Sequence, residues 1–254
     1  MEIGLTVGDS IDRIDATASG FEFVEFGLAE AADVPERIDD DRLRTTLEAN
    51  DLGLHVHLPF EQDVATPVPE INEAIVAYQR RLLEWAGGLG ARKAVLHGAV
   101  RDPHDTDLRP TTVDQLSAIS NIGSDTGVEV VVENVGHQRR GLPLSVLGRL
   151  AREAGASVCF DVGHAYMEDG EDGIARFTRE YGDLISHLHV HDARGRGDTH
   201  LPIGAGEIRY GELSERLDGF DGTVAVEVFT DDVDLLRDTA RRVADHLDTS
   251  AFRG

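Results

Sequence analysis

The sequence predicts an α/β protein built as one (β/α)8 barrel, the TIM-barrel architecture, over residues 1–254. Three observations lead there. Short stretches rich in Val, Ile and Phe alternate with helical patterns of about 10–18 residues, and eight such stretches can be read along the chain. A length of 254 residues is what eight strand–helix units occupy, about 250. The polar residues of the strands gather toward their C-terminal ends, where barrels of this kind carry their active sites. The competing arrangement is an open doubly wound sheet. It asks for a glycine-rich phosphate loop after an early strand, and LTVGDSID from Leu5 offers only Gly8.

Taken in order, the first strand is expected in IGLTV from Ile3, the second in FEFVEFG from Phe21 and the third in LGLHVHL from Leu52. A long helix follows in NEAIVAYQRRLLEWAGGLG from Asn72, with Trp85 expected in the core. The fourth strand is KAVLHG from Lys93, followed by a helix in TVDQLSAISNIG from Thr112. The fifth is EVVVEN from Glu129, followed by a helix in PLSVLGRLAREAG from Pro143. SVCFDV from Ser157, ISHLHVHD from Ile185 and TVAVEVF from Thr223 complete the strands, and DLLRDTARRVADHL from Asp234 is the last helix. Several helices run into glycine before the next strand, the residue that most readily takes the left-handed conformation that ends a helix.

Composition narrows the function. Hydrophobic residues make up 41% of the chain, enough for a packed core. No apolar run approaches the roughly 18 residues of a membrane span. MEIGLTVGDS at the start has no basic and then apolar region, so no signal peptide is expected. Cys159 is the one cysteine, which rules out an internal disulfide, and a cytoplasmic protein is expected. The net charge is −24, spread along the chain, and Lys93 is the single lysine. Dense carboxylates with arginine in place of lysine read as adaptation to high internal salt, a halophilic composition, where screening makes self-repulsion tolerable. That charge also argues against sequence-independent nucleic-acid binding.

The strand ends carry the chemistry. Late positions hold His55 and His57, His97, Glu133 and Asn134, Asp161, His189 and His191, and Glu227. Successive side chains on a strand point to opposite faces. Val224, Val226 and Val228 therefore share one face of the eighth strand, and Ala225 and Glu227 the other. Cys159 and Asp161 oppose Val158, Phe160 and Val162; Val131 and Glu133 oppose Val130 and Val132. Each carboxylate thus falls on the less bulky or interior-facing side. Several buried carboxylates aimed into one cavity repel each other, and a cation at the centre is the simplest remedy.

SHLHVHDAR from Ser186 places three imidazoles, His187, His189 and His191, on one face of a strand. Buried sheet histidines or a metal site would both produce that pattern. DVGH from Asp161 sets a carboxylate and an imidazole three residues apart at a turn, and HLPIGAGE from His200 reads locally as a glycine-bearing loop. His104, His137 and His246 have no evident role, and His137 is expected in a loop.

Together the motifs LHVHLP (54–59), VLHG (95–98), VENVG (132–136), FDVGHA (160–165), HVHD (189–192), DTHLPIGAGEI (198–208) and VEV (226–228) resemble the xylose isomerase-like barrel superfamily. It includes metal-dependent sugar isomerases and epimerases as well as endonuclease IV. The resemblance to the isomerase and epimerase branch implies one divalent ion, Mn, Mg or Zn, held by Glu133, Asp161, His189 and Glu227. It also implies Glu133 and Glu227 as the catalytic pair, passing a proton through an enediolate. His57, His164, His191, Arg194 and Arg196 are the substrate contacts expected there, and Glu25 on the second strand is expected to point into the pocket. His187 is expected deeper, in the core. The endonuclease IV branch uses three zinc ions, and its further ligand positions match His57, His97, His164, Asp198 and His200.

The resemblance puts a sugar or polyol isomerase or epimerase first and a zinc phosphodiesterase acting on abasic-site DNA second. The missing glycine-rich first loop and the acidic VEFGLAEAAD from Val24 weigh against DNA. The expected partner is a small-molecule sugar or polyol, phosphorylated or not, with no membrane contact; a homo-oligomer is left open.

Overall fold

The computed structural model describes residues 1–136, 140–217 and 219–247. Eight parallel strands, β1 (Glu2–Gly8), β2 (Phe23–Gly27), β3 (Gly53–His57), β4 (Lys93–His97), β5 (Glu129–Glu133), β6 (Ser157–Asp161), β7 (Ile185–Val190) and β8 (Thr223–Val226), form a closed barrel. β8 closes it against β1, with Glu2 opposite Thr223 and Leu5 opposite Val226. The helices are α1 (Ile11–Thr17), α2 (Asp40–Ala49), α3 (Pro69–Gly88), α4 (Arg109–Thr126), α5 (Leu144–Ala154), α6 (Val162–Tyr181), α7 (Tyr210–Arg216) and α8 (Val233–His246). The expected (β/α)8 fold is therefore the fold observed. Among the described residues no helix is long and apolar enough to cross a membrane. His137 lies outside the described residues.

Local chemistry explains the boundaries. Pro69 opens α3 where a missing N–H costs nothing. Gly127 and Gly155 end α4 and α5 in the left-handed conformation. Asp232 caps α8 by accepting the N–H groups of Asp234 and Leu235. Trp85 is half-buried against the core, and its indole N–H donates to Asp40 at 2.8 Å.

Alternation along the strands makes two separate cores. Outward residues such as Val24, Phe26, Val56, Val130, Val132, Phe160, Leu188, Val224 and Val226 pack with the helices into one large apolar layer. Inside the barrel the apolar cluster is small: Val95, Val131 and Cys159. Phe23 packs against His55 there as well, and polar side chains make up much of the rest. At the N-terminal end of the barrel, Lys93 bridges to Glu129 and donates to Ser186 at 3.2 Å, and Ser186 donates back to Glu129 at 2.7 Å. The one lysine of the chain therefore plugs the closed end. The C-terminal end is left to the site.

Candidate metal centre

Four strand ends converge. Glu133 ends β5, Asp161 ends β6, His189 lies near the end of β7 and Glu227 follows β8. One ligand atom from each lies within 4.8 Å of the others. All four are buried or nearly so, and His189 and Asp161 are fully buried. His189 Nδ1 stands 3.1 Å from Glu227 Oε2, 3.4 Å from Glu133 Oε1 and 3.9 Å from Asp161 Oδ2. His189 Nδ1, Asp161 Oδ2 and Glu227 Oε2 are all buried and have no hydrogen-bond partner. Three orphaned donor atoms facing one point are what a divalent cation would satisfy.

The Asp161–His164 spacing has a structural cause. Asp161 ends the strand and at once caps α6, accepting the His164 N–H at 2.6 Å. The expected turn is thus a direct strand-to-helix junction. Asn134 locks it from the neighbouring strand: its amide donates to the Asp161 carbonyl at 2.8 Å and accepts the Asp161 N–H at 2.9 Å.

Two further donor groups flank the first. His57 and His97 join Glu133; His164, His191, Asp198 and His200 form the other. Their imidazoles share one arrangement. The Nδ1–H of His57 donates to the Leu58 carbonyl at 2.8 Å, that of His97 to Phe60 at 3.0 Å, that of His164 to Asn134 at 3.1 Å and that of His200 to Glu227 at 3.0 Å. A backbone carbonyl on one ring nitrogen fixes the tautomer and turns the other toward the site. Nε2 of His57 and His97 then lies 3.2 and 3.3 Å from Glu133 Oε2, and Nε2 of His164 and His200 lies 3.6 and 2.8 Å from Asp198 Oδ1.

Charge balance follows from burial and neighbours. Burial disfavours ionised Glu133, but His189, His97 and His164 outweigh it and hold the carboxyl well below its usual range. Burial opposes Asp161 too, and His164 and His191 bring it to about 2. Burial also opposes a charged His189, yet Cys159, Glu25, Glu133 and Glu227 around it raise it well above the usual imidazole value. In the protein without an ion, imidazolium protons thus balance the carboxylates. Each such proton marks a place where a metal ion can substitute.

Part of this donor set, Glu133 and Glu227 included, lines a cavity of about 440 Å³, whereas Asp161 and His189 do not. Glu25, His57, His97, Glu133, His164, His200 and Glu227 supply its polar part, and Leu28, Ala29, Phe60 and Phe229 an apolar rim. Phe60 is 47% and Phe229 72% exposed, with Phe229 stacked on His200 at 3.8 Å.

A family model described as a xylose isomerase-like TIM barrel matches residues 14–250. The chain belongs to the xylose isomerase-like TIM barrel family. Among curated proteins, an uncharacterized protein of Methanocaldococcus jannaschii is 27% identical over 184 residues, 68% of this chain and 63% of that protein. A probable endonuclease 4 of Carboxydothermus hydrogenoformans is 25% identical over 186 residues, 67% of this chain and 63% of its own. The chain thus spans less than two thirds of the length of either relative. Among solved structures, a D-tagatose 3-epimerase-like protein superposes with a TM-score of 0.78 at 21% identity, covering 98% of this chain and 97% of that one. At that identity the likeness is one of fold.

Within this family barrel, three expected substrate contacts fall elsewhere. Arg194 gives its guanidinium to the Ala205 carbonyl, and Arg196 reaches the carbonyls of Met167, at 3.1 Å, and Glu168. Both carbonyls lie just before a break in α6 at Gly170, with φ 65° and ψ −157°. Both arginines therefore fasten the loop after β7 and do not line the cavity. His191 does not line it either. It is fully buried under α6, so close that a Cβ on Gly163 would stand 2.0 Å from its ring. Its Nε2 faces Asp161 Oδ1 at 3.2 Å.

The guanidinium that does line the cavity is Arg13 of α1, which the sequence reading missed. It is held by the Thr6 carbonyl at 3.1 Å, the Thr230 carbonyl at 2.9 Å and Asp231 at 3.0 Å. Nothing in GDSIDRID marks it, because its place depends on β1 and β8 meeting.

The loop that brings Asp198 and His200 to the mouth is built around Asp192. That carboxylate accepts the N–H groups of Ala193, Gly204, Gly206 and Ile208 at 2.9–3.0 Å. A Cβ on Gly206 would stand 2.2 Å from Asp192 Oδ1, which explains the second glycine of the IGAG run.

Proposed function

We propose that this protein is a divalent-metal-dependent isomerase or epimerase of a small sugar or polyol, phosphorylated or not. The observation that carries this reading is the meeting of Glu133 and Glu227, which line a small cavity, with the buried Asp161 and His189. The orphaned atoms of Asp161, His189 and Glu227 fit a divalent ion, and mixed carboxylate and imidazole donors suit Zn, Mn or Mg. Such an ion would supply Lewis acidity to the substrate carbonyl and the hydroxyl beside it.

The chain's own residues do the rest. Glu133 and Glu227 come from strands three apart around the barrel and can flank a bound ring or chain. Burial works against ionised Glu227, and His189 and His200 more than offset it, so both glutamates are available as bases. One takes the proton from the carbon next to the carbonyl, leaving an enediolate. The other returns a proton, to the opposite face for epimerisation or to the neighbouring carbon for isomerisation. His57 and His164 face the same space and suit substrate hydroxyls, and Phe60 and Phe229 offer apolar faces to its carbon skeleton.

A second reading is phosphoester hydrolysis of the endonuclease IV kind. It is favoured by the two flanking donor groups, one of which shares Glu133 with the central set. It stands second because Arg13 is the one guanidinium lining the cavity among the described residues, with Asp9, Glu25, Glu133 and Glu227 beside it. A DNA duplex would meet little positive charge there.

The test is a panel of ketoses and their phosphates incubated with the protein and Mn in D2O. One member is expected to gain solvent deuterium at a carbon next to the carbonyl as its epimer or isomer forms. Cleavage of abasic-site DNA with no deuterium uptake in any sugar would replace this reading with the second.

A further inference from the structure

Beneath the donor set lies a tier of buried polar side chains that the proposed chemistry does not touch directly. His189 presents one ring nitrogen to the central set and the other, Nε2, to Glu25, 3.1 Å from Oε1 and 3.2 Å from Oε2. Glu25 leaves β2 almost fully buried, at 1% exposure. Its Oε2 also meets His187 Nε2 at 3.1 Å, and His187 Nδ1 lies 2.7 Å from the Thr223 hydroxyl. An ionised carboxylate only accepts, so His187 Nε2–H and His189 Nε2–H both donate to Glu25, while His187 Nδ1 faces the Thr223 hydroxyl and, at 3.1 Å, the Thr223 carbonyl.

A neutral imidazole has one lone pair to offer, on the nitrogen that lacks the hydrogen. A carboxylate on Nε2 therefore decides that Nδ1 carries the lone pair, toward Glu133, Asp161 and Glu227. His189 is also the exception among the site's imidazoles. His57, His97, His164 and His200 are each set by a backbone carbonyl on Nδ1, whereas His189 is set from the far side by a buried side chain. Among the described residues no backbone carbonyl hydrogen-bonds the His189 ring, and Glu25 takes that part.

We propose that Glu25 is a positioning residue, which holds His189 as the Nε2–H tautomer with Nδ1 turned to the ion, and that His187 and Thr223 hold Glu25 in turn. This inference rests on the metal reading above. The expectation that Glu25 points into the pocket agrees with its place in the cavity lining, and the proposal adds a role for it. Its carboxylate borders the cavity floor, but its hydrogen bonds run to the two histidines.

His55 supplies an internal control. It occupies the same buried tier, stacked on Phe23 at 4.0 Å, and neither of its ring nitrogens has a hydrogen-bond partner. It is therefore outside the chain of donors that ends on His189.

The experiment uses the full-length protein with Zn²⁺ alone and no substrate. Zinc affinity is measured by competition with a chelating dye for wild type, Glu25→Gln, Glu25→Asp and His55→Phe. Long-range ¹H–¹⁵N spectra of histidine-labelled protein report the His189 tautomer. Wild type is expected to bind zinc with His189 Nε2 protonated. Glu25→Gln is expected to bind about 10–100-fold more weakly and to lose the single tautomer, the range seen when an outer partner of a ligand is removed. Glu25→Asp, which keeps the carboxylate, is expected to recover part of the affinity. His55→Phe is expected to bind zinc as wild type does. Unchanged zinc affinity and tautomer in Glu25→Gln would overturn the proposal while leaving the metal site standing. An equal loss in His55→Phe would overturn it as a packing effect. Wild type that binds no zinc would overturn both this proposal and the metal reading.

Discussion

Replacing Glu133 by glutamine is expected to lower kcat at least about a thousandfold, within the range that a positioned acid or base contributes. No other carboxylate at this site faces as many imidazoles. Glu133 belongs to the central set and to the His57–His97 group. It faces His57, His97, His164 and His189 at 3.2–3.5 Å. The amide keeps the shape but removes the negative charge, so it can neither take a proton from carbon nor balance the imidazolium charge around it. The fold should survive, because the apolar layer that builds it lies on the other face of the strand. Steady-state kinetics on the substrate found in the ketose panel, with circular dichroism as the control for folding, check the result. A loss smaller than tenfold would show that Glu133 takes no part in proton transfer.

The second large effect is on stability. An ion bound by the native state alone adds RT ln(1 + [L]/Kd), about 2.7 kcal/mol at a hundredfold excess over Kd. For a chain of this size that corresponds to a rise in Tm of about 5–11 °C. The gain should depend on pH, and its sign follows from His189. The His189 pKa lies well above its ordinary 6.5 in the ion-free protein, so a proton must leave before Nδ1 can serve as a ligand. Metal affinity should rise with pH through that raised pKa and level off above it. Without the ion the sign is opposite. A raised imidazole pKa contributes stability that is full below 6.5 and is lost as pH rises through the folded value. The gap in Tm between metal-loaded and chelator-treated protein should therefore widen as pH rises above 6.5. Paired melting curves across that window check it, and a gap that narrows with pH would contradict the assignment of His189 as a ligand.

The barrel was legible because its signal is repeated and local. Each strand carries its own β-branched run, and alternation turns Glu133, Asp161 and Glu227 inward without knowledge of any neighbour. The convergence of these residues with His189 follows once eight strands close, since strand ends at one height then share one mouth. What depends on a single tertiary contact was not legible. Arg13 becomes part of the cavity wall because carbonyls from the ends of β1 and the segment after β8 hold its guanidinium. Arg194 and Arg196 lie away from the cavity wall because their guanidinium groups reach backbone carbonyls in the loop after β7 and in α6 near its kink at Gly170. His191 has the right residue type two positions beyond His189, but β7 ends at Val190 and α6 covers the ring. Glu25 was visible as a polar residue on an inner face, but its partners His187 and His189 lie across the barrel, more than 160 positions away in sequence.

The most direct test of the metal centre is the number of divalent ions each chain retains. Wild type and Asp161→Ala are purified in high salt with Mn, Mg and Zn offered together, dialysed, and measured by elemental analysis. Wild type should keep one ion per chain, and Asp161→Ala should keep none while its fold survives. Three retained ions, only part of them lost from Asp161→Ala, would contradict the isomerase reading and favour phosphoester hydrolysis. No retained ion would contradict the metal centre itself.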